Sequence, residues 1–232
     1  MQANAWDWEF VIEILPRMLE GLQTTISATL TAFALSAVVG LLMALGRRSE
    51  NKLISWPTTG LVEFIRMTPL LVQLFFFFYV LPQYGIRIPT IELGPISVGS
   101  AFIIGSIVLG LHYATYNSEV YRAGIDAIEK GQWEAATALN FTPRHTWTRI
   151  ILPQAIPPMF PALGNYLVAM FKESAQLLAI TVMELTLTAR IIGTETFRFV
   201  EPITMAGALY FLISYPSSLL VQRLEARYAR RG

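Results

Sequence analysis

Five stretches of the chain, 21–46, 67–86, 93–118, 150–171 and 202–222, contain no Asp, Glu, Lys or Arg, and each is at least 20 residues long. A helix of about 20 apolar residues, rising 1.5 Å per residue, crosses the roughly 30 Å hydrocarbon core of a bilayer. Buried helices of a soluble protein would alternate apolar and polar faces, and a transmembrane barrel would alternate with period two. Neither pattern runs through these stretches. Only 14% of the residues are charged, where a soluble domain carries about 25%. The sequence therefore predicts an all-α integral membrane protein with about five transmembrane helices, near 20–46, 60–82, 96–116, 155–182 and 203–222.

The chain contains no cysteine, so disulfides and thiolate metal sites are excluded. Its opening, MQANAWDWEF, is acidic and aromatic, the wrong chemistry for the start of a cleaved signal peptide. Trp6, Trp8 and Phe10 are suited to seating residues 1–19 as an external, interfacial segment. Lys and Arg in the loops set the orientation. With the N-terminus outside, eleven basic residues face inward: Arg47, Arg48, Lys52, Arg122, Lys130, Arg144, Arg149, Arg223, Arg227, Arg230 and Arg231. Four face outward: Arg17, Arg87, Arg190 and Arg198. QYGIRIPTIELGP is then an external, irregular connection, and residues 223–232 are a basic cytoplasmic tail.

The longest internal connection, about 121–153, is polar and should hold structure of its own. GQWEAATAL is rich in helix formers. Asn140 is suited to the left-handed conformation that ends a helix. Thr142 and Pro143 then read as a cap and first position of a second helix, which Pro153 should stop. The expected product is a helix, a sharp turn and a helix along the cytoplasmic face. Trp133, Phe141, Trp147, Ile150 and Ile151 in such an elbow require a surface to pack on, either in this chain or in another.

These residues resemble a known motif. Glu134-Ala135-Ala136, Asn140, Ile150, Leu152 and Pro153 match in spacing the EAA loop, EAA-x3-G-x9-I-x-L-P, of permeases of bacterial ABC importers, with Asn140 where Gly is usual. RMTPLLVQLFFFFYVLP, SEVYRAGIDAIEKGQWEAA and PALGNYLVAMFKES resemble the polar amino-acid uptake subfamily. LGLHYATYNSEVYRAGIDAI, ILPQAIPPMFPALGNYLVAMFK and ARIIGTETFRFVEP are similar to ectoine/hydroxyectoine uptake permeases. The resemblance implies a single permease domain over 1–232, with a type I importer fold and a transmembrane core over 20–222. It implies that Glu134, Ala135, Ala136, Leu139, Asn140, Ile150, Leu152 and Pro153 form a coupling loop seated on a separate ATPase dimer. It further implies an extracytoplasmic solute-binding protein, and a second permease subunit, a heterodimer being preferred to a homodimer. The bacterial inner membrane is the implied location, and a small zwitterionic solute, ectoine or hydroxyectoine, the implied cargo. A polar amino acid is the alternative.

Lys172 and Glu173 fall inside the fourth expected span, where a charge at the bilayer centre costs about 2.5–3.5 kcal/mol. They either line a translocation path or form an ion pair that fixes packing near a helix end. Asn165, Ala169 and Lys172 fall on one helical face and could make a polar stripe for a solute, or hydrogen bonds between helices. Arg66, Thr68, Pro69 and Gln73 surround a proline that frees a backbone carbonyl, which suits a path or a packed kink. The rings of Phe75–Phe78 and Tyr79 are suited to lipid or neighbouring helices, or to a cationic solute.

The sequence carries no phosphate-binding G-x-x-x-x-G-K-[ST], and its two histidines, His112 and His145, are far apart. No catalytic residue, metal site, cofactor or nucleic-acid partner is expected. A self-sufficient channel or secondary transporter would show more helices and internal repeats.

Overall fold

The computed structural model describes residues 6–93 and 96–229, which leaves Arg230 and Arg231 of the basic tail and the first five residues of the external segment outside the described residues. The chain runs through α1 (Trp8–Arg47), α2 (Lys52–Met67), α3 (Leu70–Phe75), β1 (Ile91–Leu93), β2 (Ile96–Val98), α4 (Ser100–Asp126), α5 (Lys130–Ala138), α6 (Pro143–Thr146), α7 (Leu152–Glu173), α8 (Leu185–Thr196) and α9 (Val200–Ala229). By length and composition, two helices among the described residues suffice to cross a membrane, Trp8–Arg47 and Val200–Ala226. Two bent pairs also qualify if each is one span: Lys52–Met67 with Leu70–Tyr84, and Pro143–Ile180 with Leu185–Thr196. The 27-residue α4 has the length of a span, but its second half carries His112, Thr115, Asn117 and Ser118, all buried in protein.

Several expectations need correction. The helix of the first span begins before residue 20, because α1 is continuous from Trp8 to Arg47. The span expected at 60–82 is broken at Thr68-Pro69. The residue before a proline is driven out of the helical region, and Pro69 sits extended at φ −62°, ψ 136°. Beyond α3 the chain widens into a π turn over Phe76–Val80 and tightens into a 3-10 turn over Leu81–Tyr84. The span expected at 155–182 ends at Glu173 and continues as a 3-10 turn over Ser174–Ile180, closed by Thr181 at φ 65°. A further helix, α8, then follows. The loop expected outside is not wholly irregular, for β1 and β2 pair antiparallel with Ile91 opposite Val98.

The helices build two compact units. The first comprises residues 1–35, 68–110 and 167–216. Its core joins Phe10, Ile14 and Met18 of α1 with Leu185, Ala189 and Ile192 of α8 and Met205, Ala206 and Leu209 of α9. Glu184 is fully buried and caps α8, its Oε1 accepting from the Leu187 N–H at 2.7 Å and its Oε2 from the Thr186 N–H at 2.9 Å. The Tyr210 hydroxyl of α9 donates to the same carboxylate at 2.6 Å. One acid thus satisfies a helix N-terminus and ties it to a second helix.

Asp7 closes the other end of this unit. Its Oδ1 accepts from the N–H groups of Glu9 and Phe10, and its Oδ2 accepts from Arg198 at 3.1 Å. The Arg198 guanidinium lies 4.2 Å over the Phe10 ring and also pairs with Glu201 in the first turn of α9. The Phe10 N–H first, and Arg198 second, hold the Asp7 carboxyl below the usual carboxylate value of 3.8. A depressed pKa gives stability that is fully present above the unfolded value and is lost as pH falls through the folded one. Protection of the first turns of α1 against hydrogen exchange, corrected for intrinsic rates, is therefore expected to be constant near neutral pH and to fall below about pH 4. Asp7→Asn should remove that acid-dependent part. Equal protection on both sides of that pH would refute the assignment.

The second unit comprises 36–67, 111–166 and 217–232. Here α1, α2 and α4 converge on Met43, Val62 and Ala114. Asn117 donates to the buried Ser36 hydroxyl at 2.9 Å. A second cluster, Ile125, Ala155 and Met159, gathers the elbow around it with Trp133, Trp147 and Leu163.

Candidate functional site

The elbow begins on α5, whose end is decided by local chemistry. The Asn140 N–H bonds to the Thr137 carbonyl and the Phe141 N–H to the Ala136 carbonyl, both at 3.0 Å. Asn140 is left-handed at φ 54°. This is the paired-bond helix stop that a residue tolerant of positive φ makes. Thr142 then caps α6, its hydroxyl accepting from the His145 N–H at 3.3 Å, with Pro143 in the first turn. Both expectations hold.

The stop at Pro153 does not hold. From Pro143 the chain stays helical through a π turn at Trp147–Ile151 and directly into α7. Proline lacks an N–H and its ring clashes with the carbonyl four residues back. The wider π turn relieves that misfit, and the Leu152 N–H reaches the Trp147 carbonyl, five residues back. Such bulges often mark functional positions. The second arm of the elbow thus runs into α7 without a break in the helix.

Packing divides the elbow into an inner and an outer face. Trp133 and Trp147 meet edge to face at 5.3 Å, and Ile151 and Ala136 are buried. The chain itself therefore supplies the surface those residues needed. Glu134, Ala135 and Asn140 are exposed, as are Leu139 at 66% and Phe141 at 38%. Ile150 and Leu152 are half-buried, and Pro153 is exposed. Thr148, Leu152, Pro153, Ile156 and Pro157 line a shallow hollow beside the second arm. Of the eight motif residues, Ala136 is internal and the others reach the surface wholly or in part.

The expected path residues do not form one group. Arg66, at the end of α2, contacts the Glu63 carboxylate and Glu119 of α4, each at 3.0 Å. Glu119 also accepts from Arg47 at 2.7 Å and from Arg122 at 2.9 Å, and Arg48 pairs with Asp126. Arg66 thus belongs to an ion-pair cluster joining α1, α2 and α4. Gln73 folds back on the broken segment, its Nε2 donating to the Thr68 hydroxyl at 2.8 Å and to the Thr68 carbonyl at 3.1 Å. The Thr68 carbonyl at the break is therefore satisfied within the protein. Asn165, Ala169, Lys172 and Glu173 all lie on α7, with Asn165 and Lys172 exposed and Ala169 and Glu173 half-buried. Phe75 and Phe76 are exposed, and the Tyr79 hydroxyl donates to the Ala179 carbonyl at 3.2 Å.

Three features escaped the sequence reading. Glu119 as the shared acceptor of Arg47, Arg66 and Arg122 joins three helices, a tertiary fact of which only the Arg122 pair is local. Glu184 stood three residues ahead of Leu187 at the start of an amphipathic helix, which is a cap signal that could have been read. The exposed polar residues of α1 also had a readable spacing.

The sequence over residues 36–230 matches the family described as binding-protein-dependent transport system inner membrane component. A "probable amino-acid ABC transporter permease protein", y4tG, of Sinorhizobium fredii is 43% identical over 96% of this chain and 92% of its own length. A "glutamate/aspartate import permease protein", GltK, of Escherichia coli O6:H1 is 33% identical over 97% of this chain and 99% of its own. A solved structure described as "an amino acid ABC transporter with histidines" superposes with a TM-score of 0.85 at 35% identity, over 96% of this chain and 99% of that one.

Proposed function

The chain belongs to the family of inner membrane components of binding-protein-dependent transport systems, and we propose that its cargo is a polar amino acid. It is a permease subunit of an ABC importer with the type I fold, a transport component rather than an enzyme, and that fold implies a separate ATPase and a binding protein as partners. The observation that carries the cargo reading is the full-length likeness to permeases named for amino acids, at 43% and 33% identity. The named relatives give the narrower ectoine reading no support, and the amino-acid alternative takes its place.

The elbow is the ATPase contact in this reading. Glu134, Ala135, Leu139 and Asn140, all exposed, present a charge, a small residue, an apolar knob and a turn. The helical continuity of α6, the π turn and α7 favours transmission of a displacement from the elbow into the membrane. ATP binding would draw the elbows of a permease pair together and switch the path from inward- to outward-facing. The N-terminus outside and the C-terminus inside follow from the basic residues. Asn165, Ala169, Lys172 and Glu173 on α7, with Thr68, Pro69 and Gln73, are the proposed path residues. Arg66 is proposed to brace the helix ends beside them.

The test is ATP-driven uptake into vesicles holding the permease pair, ATPase and binding protein. Labelled glutamine, glutamate or histidine should accumulate, with unlabelled amino acid competing and ectoine ignored. Accumulation of labelled ectoine, blocked by hydroxyectoine and not by amino acids, would overturn the cargo reading and keep the architecture.

A further inference from the structure

At about 100° per residue, Glu9, Glu13, Arg17, Glu20, Thr24, Ser27 and Thr31 of α1 fall within roughly a quarter of the helix circumference. All are exposed except Thr24, which is half-buried. The core residues Phe10, Ile14 and Met18 lie on the adjoining face and the exposed Ile12, Leu15 and Leu19 on the opposite one. So α1 has three faces: one packed, one greasy and one polar. The greasy face suits lipid; the polar one does not.

Midway along the polar face lies a cavity of about 170 Å³ lined by Arg17, Glu20, Gly21, Thr24, Met183 and Thr188. Its floor exists because Gly21 has no side chain. A Cβ there would stand 2.7 Å from the Thr188 hydroxyl and 3.1 Å from the Leu185 backbone, so α1 and the start of α8 touch at this point. Arg17 is held by Glu195, which accepts from its Nη1 at 2.7 Å. That leaves the other edge of the guanidinium fork for a second carboxylate. Glu20, one helical turn further on, attracts Arg17 electrostatically but makes no direct hydrogen bond or salt bridge through its carboxylate among the described residues.

We propose that this cavity is a subsite for the zwitterionic head of the transported amino acid. Arg17 takes the carboxylate, Glu20 takes the ammonium, and the Thr24 and Thr188 hydroxyls complete the lining. Residues three apart on a helix face stand about 5–6 Å apart at their Cβ atoms, so a cation and an anion lie close enough here to serve a ligand that carries the opposite pair on one carbon. The inference rests on the amino-acid reading above and adds a site at the N-terminal end of α1, apart from the α7 positions.

The chain has no cysteine, so a single Thr24→Cys gives one reporter in the cavity and Glu13→Cys one on the same stripe outside it. In the assembled permease–ATPase complex, labelling of each by a small thiol reagent is measured with and without saturating L-glutamine, L-glutamate and L-histidine. At least one of these amino acids is expected to slow Thr24→Cys labelling about tenfold, the ratio that 1.4 kcal/mol of occupancy gives, and to leave Glu13→Cys unchanged. Adding Glu20→Gln should abolish the protection. Equal labelling with and without amino acids, in complexes that transport them, overturns the subsite and leaves the cargo reading standing. A Thr24→Cys that never labels means that protein covers the stripe, and also overturns it. Wild-type complexes that neither bind nor transport any amino acid overturn the cargo reading and the subsite with it.

Discussion

Leu139→Asp is expected to lower ATP-driven uptake by about 100-fold while leaving the amount of folded permease unchanged. Leu139 is 66% exposed and follows the last turn of α5. Within its own chain it therefore packs little, and its loss removes almost no core. On a partner it would be a central apolar anchor beside Glu134 and Ala135. Burying a carboxylate there without a counter-charge is strongly unfavourable, and truncation at an interface hot spot costs 2 kcal/mol or more. The measurement is co-purification of the ATPase with tagged permease, together with uptake. Wild-type uptake and ATPase retention would mean that the elbow docks through another face. Ala136→Asp is the contrasting variant: Ala136 is 1% exposed, so that change should reduce the yield of folded protein itself.

Gly40→Leu should destabilise the permease by about 3 kcal/mol, the upper part of the range for overpacking. A Cβ at Gly40 would stand 2.8 Å from the Ala114 carbonyl oxygen and 2.8 Å from the Asn117 Cβ. Both lie on α4, one of them backbone, so neither can swing aside as a flexible side-chain tip would. Small residues at such crossings let membrane helices approach backbone to backbone. The same displacement would strain the Asn117–Ser36 hydrogen bond. The check is thermal unfolding of purified complex, with Gly60→Leu as the control. A Cβ at Gly60 meets nothing within 4 Å, so that variant should match wild type, and a Gly40→Leu protein of equal stability would disprove the close crossing.

What the sequence made legible was chemistry confined to a few neighbouring residues. Asn140 and Thr142-Pro143 were readable because a left-handed stop and an N-cap depend on one side chain and its own backbone. Pro153 was misread by the same kind of rule, since a π turn one step earlier lets the helix pass through. Charge-free runs located the membrane but misplaced its joints. A run counts residues that avoid charge and is blind to the break at Thr68-Pro69 or the left-handed Thr181. That method also started α1 at residue 20 and discarded its most informative part, because Glu9, Glu13, Arg17 and Glu20 disqualified the segment as a span. Their spacing of three and four was the signal. Lys172 and Glu173 drew notice as charges in an apolar run, whereas the fully buried Glu184 stood unremarked a few residues on. Burial is decided by partners far along the chain, here Tyr210, and no local pattern contains it.

The interleaving of the two units bears on how the protein is made. Each unit draws on three separated stretches, and neither is complete until residues of α9 have been made. When Glu184 leaves the ribosome, the tyrosine that will bond it is still 26 residues away, a delay of seconds at about 5–20 residues per second. The second unit waits longer, for residues beyond 216. Neither half can close early and shelter the other's synthesis. Nascent chains stalled before α9 should therefore sit in the insertion machinery as open, protease-sensitive intermediates.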